Sequence, residues 1–118
     1  MAVLLVSGDL MGASRIEGAA RLAGVDFRMV GNADSAVEVC AAGNVPLVMI
    51  DLALAGLDVD SLVSRLKNLP NGALAIVAYG PHVHEAKLAA AEAAGCDQVL
   101  SRGQFLSSVD AVIARHAK

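Results

Sequence analysis

The aspartate Asp51 ends the most apolar stretch of the chain, which begins at Val45. This stretch has the length of a strand and contains proline only near its start, so it predicts a strand that is covered on both faces. In open α/β folds, ligands bind beyond the carboxyl ends of the parallel strands. Asp51 is therefore a candidate functional carboxylate.

Further polar residues follow the first predicted strand, Ala2–Val6. If the first and third strands are neighbours, then Ser7, Gly8, Asp9 and Asp51 border one crevice. Asp9 could cap the following helix, or it could form a two-carboxylate cation site with Asp51. The segment that begins at Ser7 lacks the glycine pattern and the lysine of phosphate-binding loops, which argues against a nucleotide site.

Five β/α units are predicted to position these residues. The predicted strands are Ala2–Val6, Val25–Val30, Val45–Asp51, Ala73–Ala78 and Asp97–Leu100. The predicted helices run from about Leu10 to Ala23, from Asn32 or Asp34 to Ala42, from Asp58 to the stop formed by Pro70 and the turn pair Asn71-Gly72, from Pro81 to Ala94, and onward from about Gln104. Regular alternation with short connections predicts an α/β fold: a doubly wound, five-stranded parallel sheet of flavodoxin-like order 2-1-3-4-5 with five helices.

Composition narrows the class of protein. The 118 residues predict a single domain over 1–118, with an aliphatic core because 56% of residues are hydrophobic and only 3% aromatic. A net charge of −3 argues against nucleic acid and anionic membranes as partners. The sequence contains neither a signal peptide nor an apolar run of about 18 residues, and Cys40 and Cys96 lack the spacing of a redox motif, so we expect a cytoplasmic protein.

The chain resembles the receiver domain of bacterial response regulators, typified by the chemotaxis response regulator. The segment from Leu47 to Asp58 carries the resemblance, and the opening Leu4–Asp9 and the turn Ala93–Asp97 support it. The resemblance implies a module of two-component and phosphorelay signalling. Receivers accept a phosphoryl group on the strand-end aspartate. Two acids after their first strand hold Mg²⁺, a Ser or Thr ends the fourth strand, and a Lys ends the fifth.

On this resemblance, the chain keeps only the acceptor position, which falls on Asp51. The other site positions are expected to be degenerate. The acid pair falls on Ser7 and Gly8, and the third acid falls on Asp9. The switch hydroxyl position falls on Ala78 and the lysine position on Ser101. Each lost electrostatic group is typically worth about 2–4 kcal/mol of barrier. The resemblance thus implies a pseudo-receiver that is not an enzyme, has no cofactor, and binds Mg²⁺ only weakly, if at all, through Asp9 and Asp51.

Three roles stay open for Asp51: a structural acceptor of backbone hydrogen bonds, a relic that orders a loop or binds a cation weakly, and a phosphorylated residue. The first alternative to a pseudo-receiver is accordingly a receiver that is switched at Asp51 through a non-standard cation site. A small-molecule-binding flavodoxin-like module is the second, and the short, glycine-poor loops argue against it.

Protein partners are expected, such as a histidine kinase, an effector domain or a second copy of the chain. Tyr79 either lines a partner-binding side or packs over the crevice with its hydroxyl in water. In the helix that follows, an inward stripe is predicted at Val83, Ala86, Ala90 and Ala93. With this stripe facing inward, Leu88 and Ala91 are expected to face outward. They would then be either part of a partner surface or ordinary exposed apolar residues.

Overall fold

The structure is a computed structural model that describes residues 1–70 and 74–117. Strands and helices alternate along the chain. The strands are β1 (Ala2–Val6), β2 (Asp26–Val30), β3 (Leu47–Asp51), β4 (Ala75–Gly80) and β5 (Gln98–Ser101). The helices are α1 (Leu10–Ala23), α2 (Ala33–Ala41), α3 (Val59–Lys67), α4 (Glu85–Ala94) and α5 (Arg102–Ala117).

The strands form one parallel sheet in the order β2-β1-β3-β4-β5, which confirms the predicted fold. The central strands β1 and β3 are almost entirely buried, as their continuous apolar sequences predict. The edge strand β2 alternates exposed and half-buried residues, also as predicted. Because β1 and β3 are neighbours, the residues that follow β1 lie beside Asp51.

Each face of the sheet has its own hydrophobic cluster. The side that we call the α1/α5 face carries Val3, Leu5, Leu47, Met49, Val77 and Tyr79, packed against helices α1 and α5. The opposite side, the α2–α4 face, carries Leu4, Val6, Val48, Ile50, Ile76 and Ala78, packed against α2, α3 and α4. Since side chains alternate along a strand, the face of a residue follows from its register.

Several element boundaries differ from prediction, and two of the differences affect the site. Strand β4 continues two residues beyond Ala78, because Tyr79 pairs with both neighbouring strands and Gly80 pairs with β5. Strand β5 includes Ser101, and α5 begins immediately afterwards at Arg102. The predicted turn pair Asn71-Gly72 and the predicted strand start at residue 73 lie outside the described residues.

The start and the orientation of α4 were both predicted wrongly. The helix begins at Glu85 rather than Pro81, because residues 81–84 form a turn in which the His84 amide donates to the Pro81 carbonyl oxygen. Ala91 is fully buried and Leu88 is half-buried, and both pack on the α2–α4 face. The residues predicted to face inward, Val83, Ala86, Ala90 and Ala93, are exposed.

The physical reason is that Leu88 is the one large aliphatic side chain in α4, so its burial sets the orientation of the helix. The prediction that Leu88 and Ala91 face outward is therefore wrong, because both pack on the core. None of the helices in the described residues is both long and apolar enough to cross a membrane.

Candidate functional site

The candidate site is a crevice at the carboxyl ends of β1 and β3, where Ser7 and Asp51 are joined. The Ser7 hydroxyl donates a hydrogen bond of 2.6 Å to Asp51 Oδ2. The other carboxylate oxygen, Oδ1, accepts a bond of 3.0 Å from the Ala53 amide in the following loop. Asp51 is only 4% exposed and Ser7 only 1%. Both oxygens of the acceptor-position carboxylate are thus engaged by the protein itself.

The acid Asp9 lies at the mouth of the crevice and has two functions in the structure. It is the N-cap of α1, where Oδ1 accepts a 3.1 Å hydrogen bond from the Met11 amide. Its second oxygen, Oδ2, forms an ion pair with the Arg102 guanidinium at the start of α5. This pairing lowers the pKa of Asp9 and raises that of Arg102, because each charged form is stabilised by the other.

The ring of Tyr79 fills the interior of the crevice. Tyr79 is 2% exposed and stacks on Phe105 of α5, with ring centroids 4.1 Å apart and an interplanar angle of 3°. Its pKa is raised above the usual range, chiefly by burial and further by the negative charge of Asp51, while a hydrogen bond with Ser7 opposes the rise. Tyr79 therefore packs in the crevice and is too deeply buried to present a partner surface, and this burial also differs from the expectation that its hydroxyl lies in water.

The switch position was assigned to the wrong residue. Ala78 lies on the α2–α4 face, where it packs away from the crevice. The β4 residue in register with Asp51 is Tyr79, which shares the α1/α5 face with Met49. A residue that senses a group on Asp51 must lie on the same face, so this position holds a tyrosine rather than an alanine.

The basic position was likewise misplaced by one residue. The Ser101 hydroxyl is used locally, accepting a 3.2 Å hydrogen bond from the Gln104 amide at the start of α5. Arg102, which the sequence interpretation treated as a replacement for proline, provides the cation at the crevice. Arg102 could have been found from the sequence by extending the predicted β5 by one residue beyond Leu100. With the longer strand, the basic position at the strand end falls on Arg102.

These side chains do not fit Mg²⁺, the ion that the fold implies. Mg²⁺ requires near-octahedral oxygen ligands, usually including carboxylates. Here the Ser7 hydroxyl proton is directed at Asp51, Gly8 offers no side chain, and Asp9 is paired with Arg102. Within residues 1–70 and 74–117, no group of three or more His, Cys, Asp or Glu side chains could hold a metal ion.

A second concavity lies beside the crevice, between the loop after β3 and helix α4. It is an open groove of about 500 Å³. Its lining residues are mostly small or aliphatic and include Leu54, Leu57, Val59, Ala86 and Ala90, with Asp58, Asp60 and Lys87 as charged members. The exposed alanines of α4, which the sequence interpretation had directed inward, therefore form one wall of an accessible groove.

No protein-family model matches this chain, and no curated protein matches it significantly. Solved structures do match along nearly its whole length. The receiver domain of a sensor histidine kinase from Pseudomonas aeruginosa, with a magnesium ion coordinated in its active-site cleft, has a TM-score of 0.82 at 20% identity, covering 98% of this chain and 95% of that one. A CheY-like response regulator receiver domain from Methylobacillus flagellatus has a TM-score of 0.79 at 20% identity, covering 98% and 97%.

A third match is the receiver domain of the Saccharomyces cerevisiae response regulator Ssk1, which was crystallised with the histidine phosphotransfer protein Ypd1. It has a TM-score of 0.75 at 19% identity and covers 92% of this chain and 84% of that one. The chain therefore has the fold of response-regulator receiver domains, as the sequence resemblance predicts. At these identities the likeness establishes the fold, and the function has to be argued from the crevice.

Proposed function

We propose that this chain is a pseudo-receiver: a module of a two-component or phosphorelay system that acts through protein–protein contact without phosphorylation of Asp51. The observation that carries the proposal is the state of the Asp51 carboxylate. Ser7 and Ala53 donate to its two oxygens, and Tyr79 packs in the same crevice. A nucleophilic carboxylate has to present an oxygen lone pair to an incoming phosphorus atom, and here each oxygen already accepts a hydrogen bond, which weakens it as a nucleophile.

The electrostatics of the crevice support the same conclusion. Phosphoryl transfer needs positive charge close to the oxygens on which negative charge develops. The positive charge near the crevice belongs to Arg102, and Asp9 already pairs with it. The residues that flank Asp51 are a neutral hydroxyl and a buried aromatic ring, which supply no such charge.

A protein partner is the natural ligand of such a module. The groove between the loop after β3 and α4 is accessible, and its apolar lining would lose water on contact with another protein. Among proteins of this fold, the Ssk1 receiver forms a complex with a histidine phosphotransfer protein. We therefore propose a signalling protein as the partner, recognised by exposed surface that is the same at all times because no chemical switch changes it.

Incubation with Mg²⁺ and a small phosphodonor, followed by intact mass spectrometry, tests the proposal. The wild-type chain should gain no phosphoryl adduct under conditions that modify an active receiver used as a positive control. The Asp51→Asn variant is the matched control, because it has no carboxylate to modify. An adduct on the wild-type chain that is missing from Asp51→Asn would overturn the proposal and establish the alternative, a receiver switched at Asp51.

A further inference from the structure

We propose that Arg102 is the resident cation of the crevice and that its pairing with Asp9 keeps divalent cations out. The inference rests on the proposed function, which it deepens by naming the group that occupies the cation's place. It also makes a distinct claim, because exclusion of a metal can be measured without any phosphoryl donor.

The position of Arg102 follows from the end of β5. Ser101 is still paired with Gly80 in the sheet, so the next residue projects from the carboxyl edge, where β1 and β3 also end. From there the Arg102 guanidinium reaches Asp9, which is distant in sequence but borders the same crevice. The side chains of Arg102 and Asp9 are 38% and 29% exposed, so the pair lies at the mouth of the crevice and stays partly in contact with water.

The helix α1 leaves room for this pair by carrying a glycine at its first turn. A Cβ atom on Gly12 would lie 2.8 Å from Asp9 Oδ2 and 3.5 Å from the Arg102 terminal nitrogen that bonds it. Real Cβ atoms essentially never approach other atoms as closely as the first of these distances. The missing side chain at Gly12 therefore allows the carboxylate and the guanidinium to meet in this geometry.

Charge explains why the pair would exclude a metal. A divalent cation near Asp9 would have to compete with the guanidinium for the Asp9 carboxylate. The positive charge of the guanidinium would also repel the cation. The charge of Arg102 also acts on the rest of the crevice, because it partly opposes the rise in the pKa of Tyr79. Removing the guanidinium would leave Asp9 and Asp51 as carboxylates without a cation, a setting in which Mg²⁺ or Mn²⁺ gains affinity.

The experiment compares cation binding by the wild-type chain with binding by Arg102→Ala and Arg102→Gln. The chain has one tyrosine and no tryptophan, so its intrinsic fluorescence reports on Tyr79 inside the crevice. Titrations with Mg²⁺ and Mn²⁺, followed by this fluorescence and by calorimetry, should show affinity rising about tenfold or more in both variants. The matched control is Arg65→Gln, which removes the guanidinium of an exposed ion pair with Asp34 and should leave cation affinity unchanged.

Asp9→Asn in the Arg102→Gln background should remove the gain, since the carboxylate that binds the ion is then absent. Equal cation affinity in the wild-type chain and in both folded Arg102 variants would overturn the inference. A gain that survives Asp9→Asn would overturn it too, because the ion would then bind elsewhere. Each of these results leaves the phosphorylation test untouched, so failure of the resident-cation inference and failure of the proposed function are distinguishable.

Discussion

The two faces of the sheet are packed by different kinds of residue. On the α1/α5 face, the strand ends meet a stacked aromatic pair, Tyr79 with Phe105, and an ion pair, Asp9 with Arg102. On the α2–α4 face, the cluster consists of aliphatic side chains together with small ones such as Ala78 and Cys40. The crevice on the first face is closed by its own side chains, whereas the groove beside α4 is open.

This difference bears directly on the proposed function. A phosphorylation site has to admit a cation and a phosphoryl group, and our proposal is that the Tyr79 ring and the Arg102 guanidinium take up that space. Among the described residues, the interior of the second face is an aliphatic cluster, and the exposed alanines of α4 line the open groove. The pseudo-receiver that we propose would keep the scaffold for binding and carry out no group transfer at this edge of the sheet.

The strongest test of the closed crevice is Tyr79→Ala. Removing a fully buried aromatic ring should lower the free energy of unfolding by about 3–5 kcal/mol, because the transfer energy is lost and a cavity remains beside Phe105. Denaturant unfolding followed by circular dichroism measures the change. A loss below about 1 kcal/mol would contradict the packed ring and would mean that the crevice is open.

The variant Tyr79→Phe separates the ring from its hydroxyl. It keeps the stack on Phe105 and removes only the hydroxyl near Ser7 and Asp51, so we expect a cost of about 0.5–1.5 kcal/mol. Leu62→Ala, at a buried position on the α2–α4 face, gives the scale for an ordinary core truncation of about 2–5 kcal/mol.

The sequence predicted the fold well because its signals are local and repeated. Caps at Asn32 and Asp58, stops at Gly24 and Gly95, and continuous apolar strands all agree with one architecture. The site was predicted less well because it depends on strand ends, where a shift of one residue moves a side chain to the other face. Because the sequence prediction ended β4 at Ala78 instead of Gly80, it missed that Tyr79 is in register with Asp51.

The prediction of the orientation of α4 was wrong for a related reason. Its residues are mostly alanines, so hydrophobic periodicity offers several nearly equivalent inward stripes. Placing the helix start at Pro81 favoured a stripe through the exposed Val83, whereas burial of Leu88 decides the orientation. The pairing of Asp9 with Arg102 could not be predicted from sequence, because it joins residues 93 positions apart through tertiary structure.

Alanine substitutions at two glycines of α1, Gly12 and Gly18, should change the free energy of unfolding in opposite directions. A Cβ on Gly18 would have nothing within 4 Å, so Gly18→Ala should raise the free energy of unfolding by about 0.5–1 kcal/mol through helix propensity. Gly12→Ala should instead lower it by about 1 kcal/mol or more, because the new Cβ displaces Asp9 from Arg102. Thermal or urea unfolding of both variants measures the contrast, and equal stabilisation by both would show that the ion pair is not constrained at Gly12.

The smallest expected effect is the pH dependence of the same ion pair. The pKa of Asp9 is lowered in the folded chain by Arg102, while the unfolded chain has the ordinary value of about 4. The Asp9 carboxylate therefore binds a proton more readily in the unfolded chain than in the folded chain. Its contribution to the free energy of unfolding is complete above about pH 4 to 5, and it is lost as the pH falls through the lowered pKa of the folded chain. Carboxyl groups in general titrate in acid, so the contribution of this ion pair has to be isolated. A double-mutant cycle of Asp9→Asn and Arg102→Gln does so. Its coupling free energy should be favourable at pH 7 and should fall toward zero as the pH drops below the lowered pKa of Asp9. A coupling that is independent of pH would mean that Arg102 stabilises the crevice by packing rather than by charge.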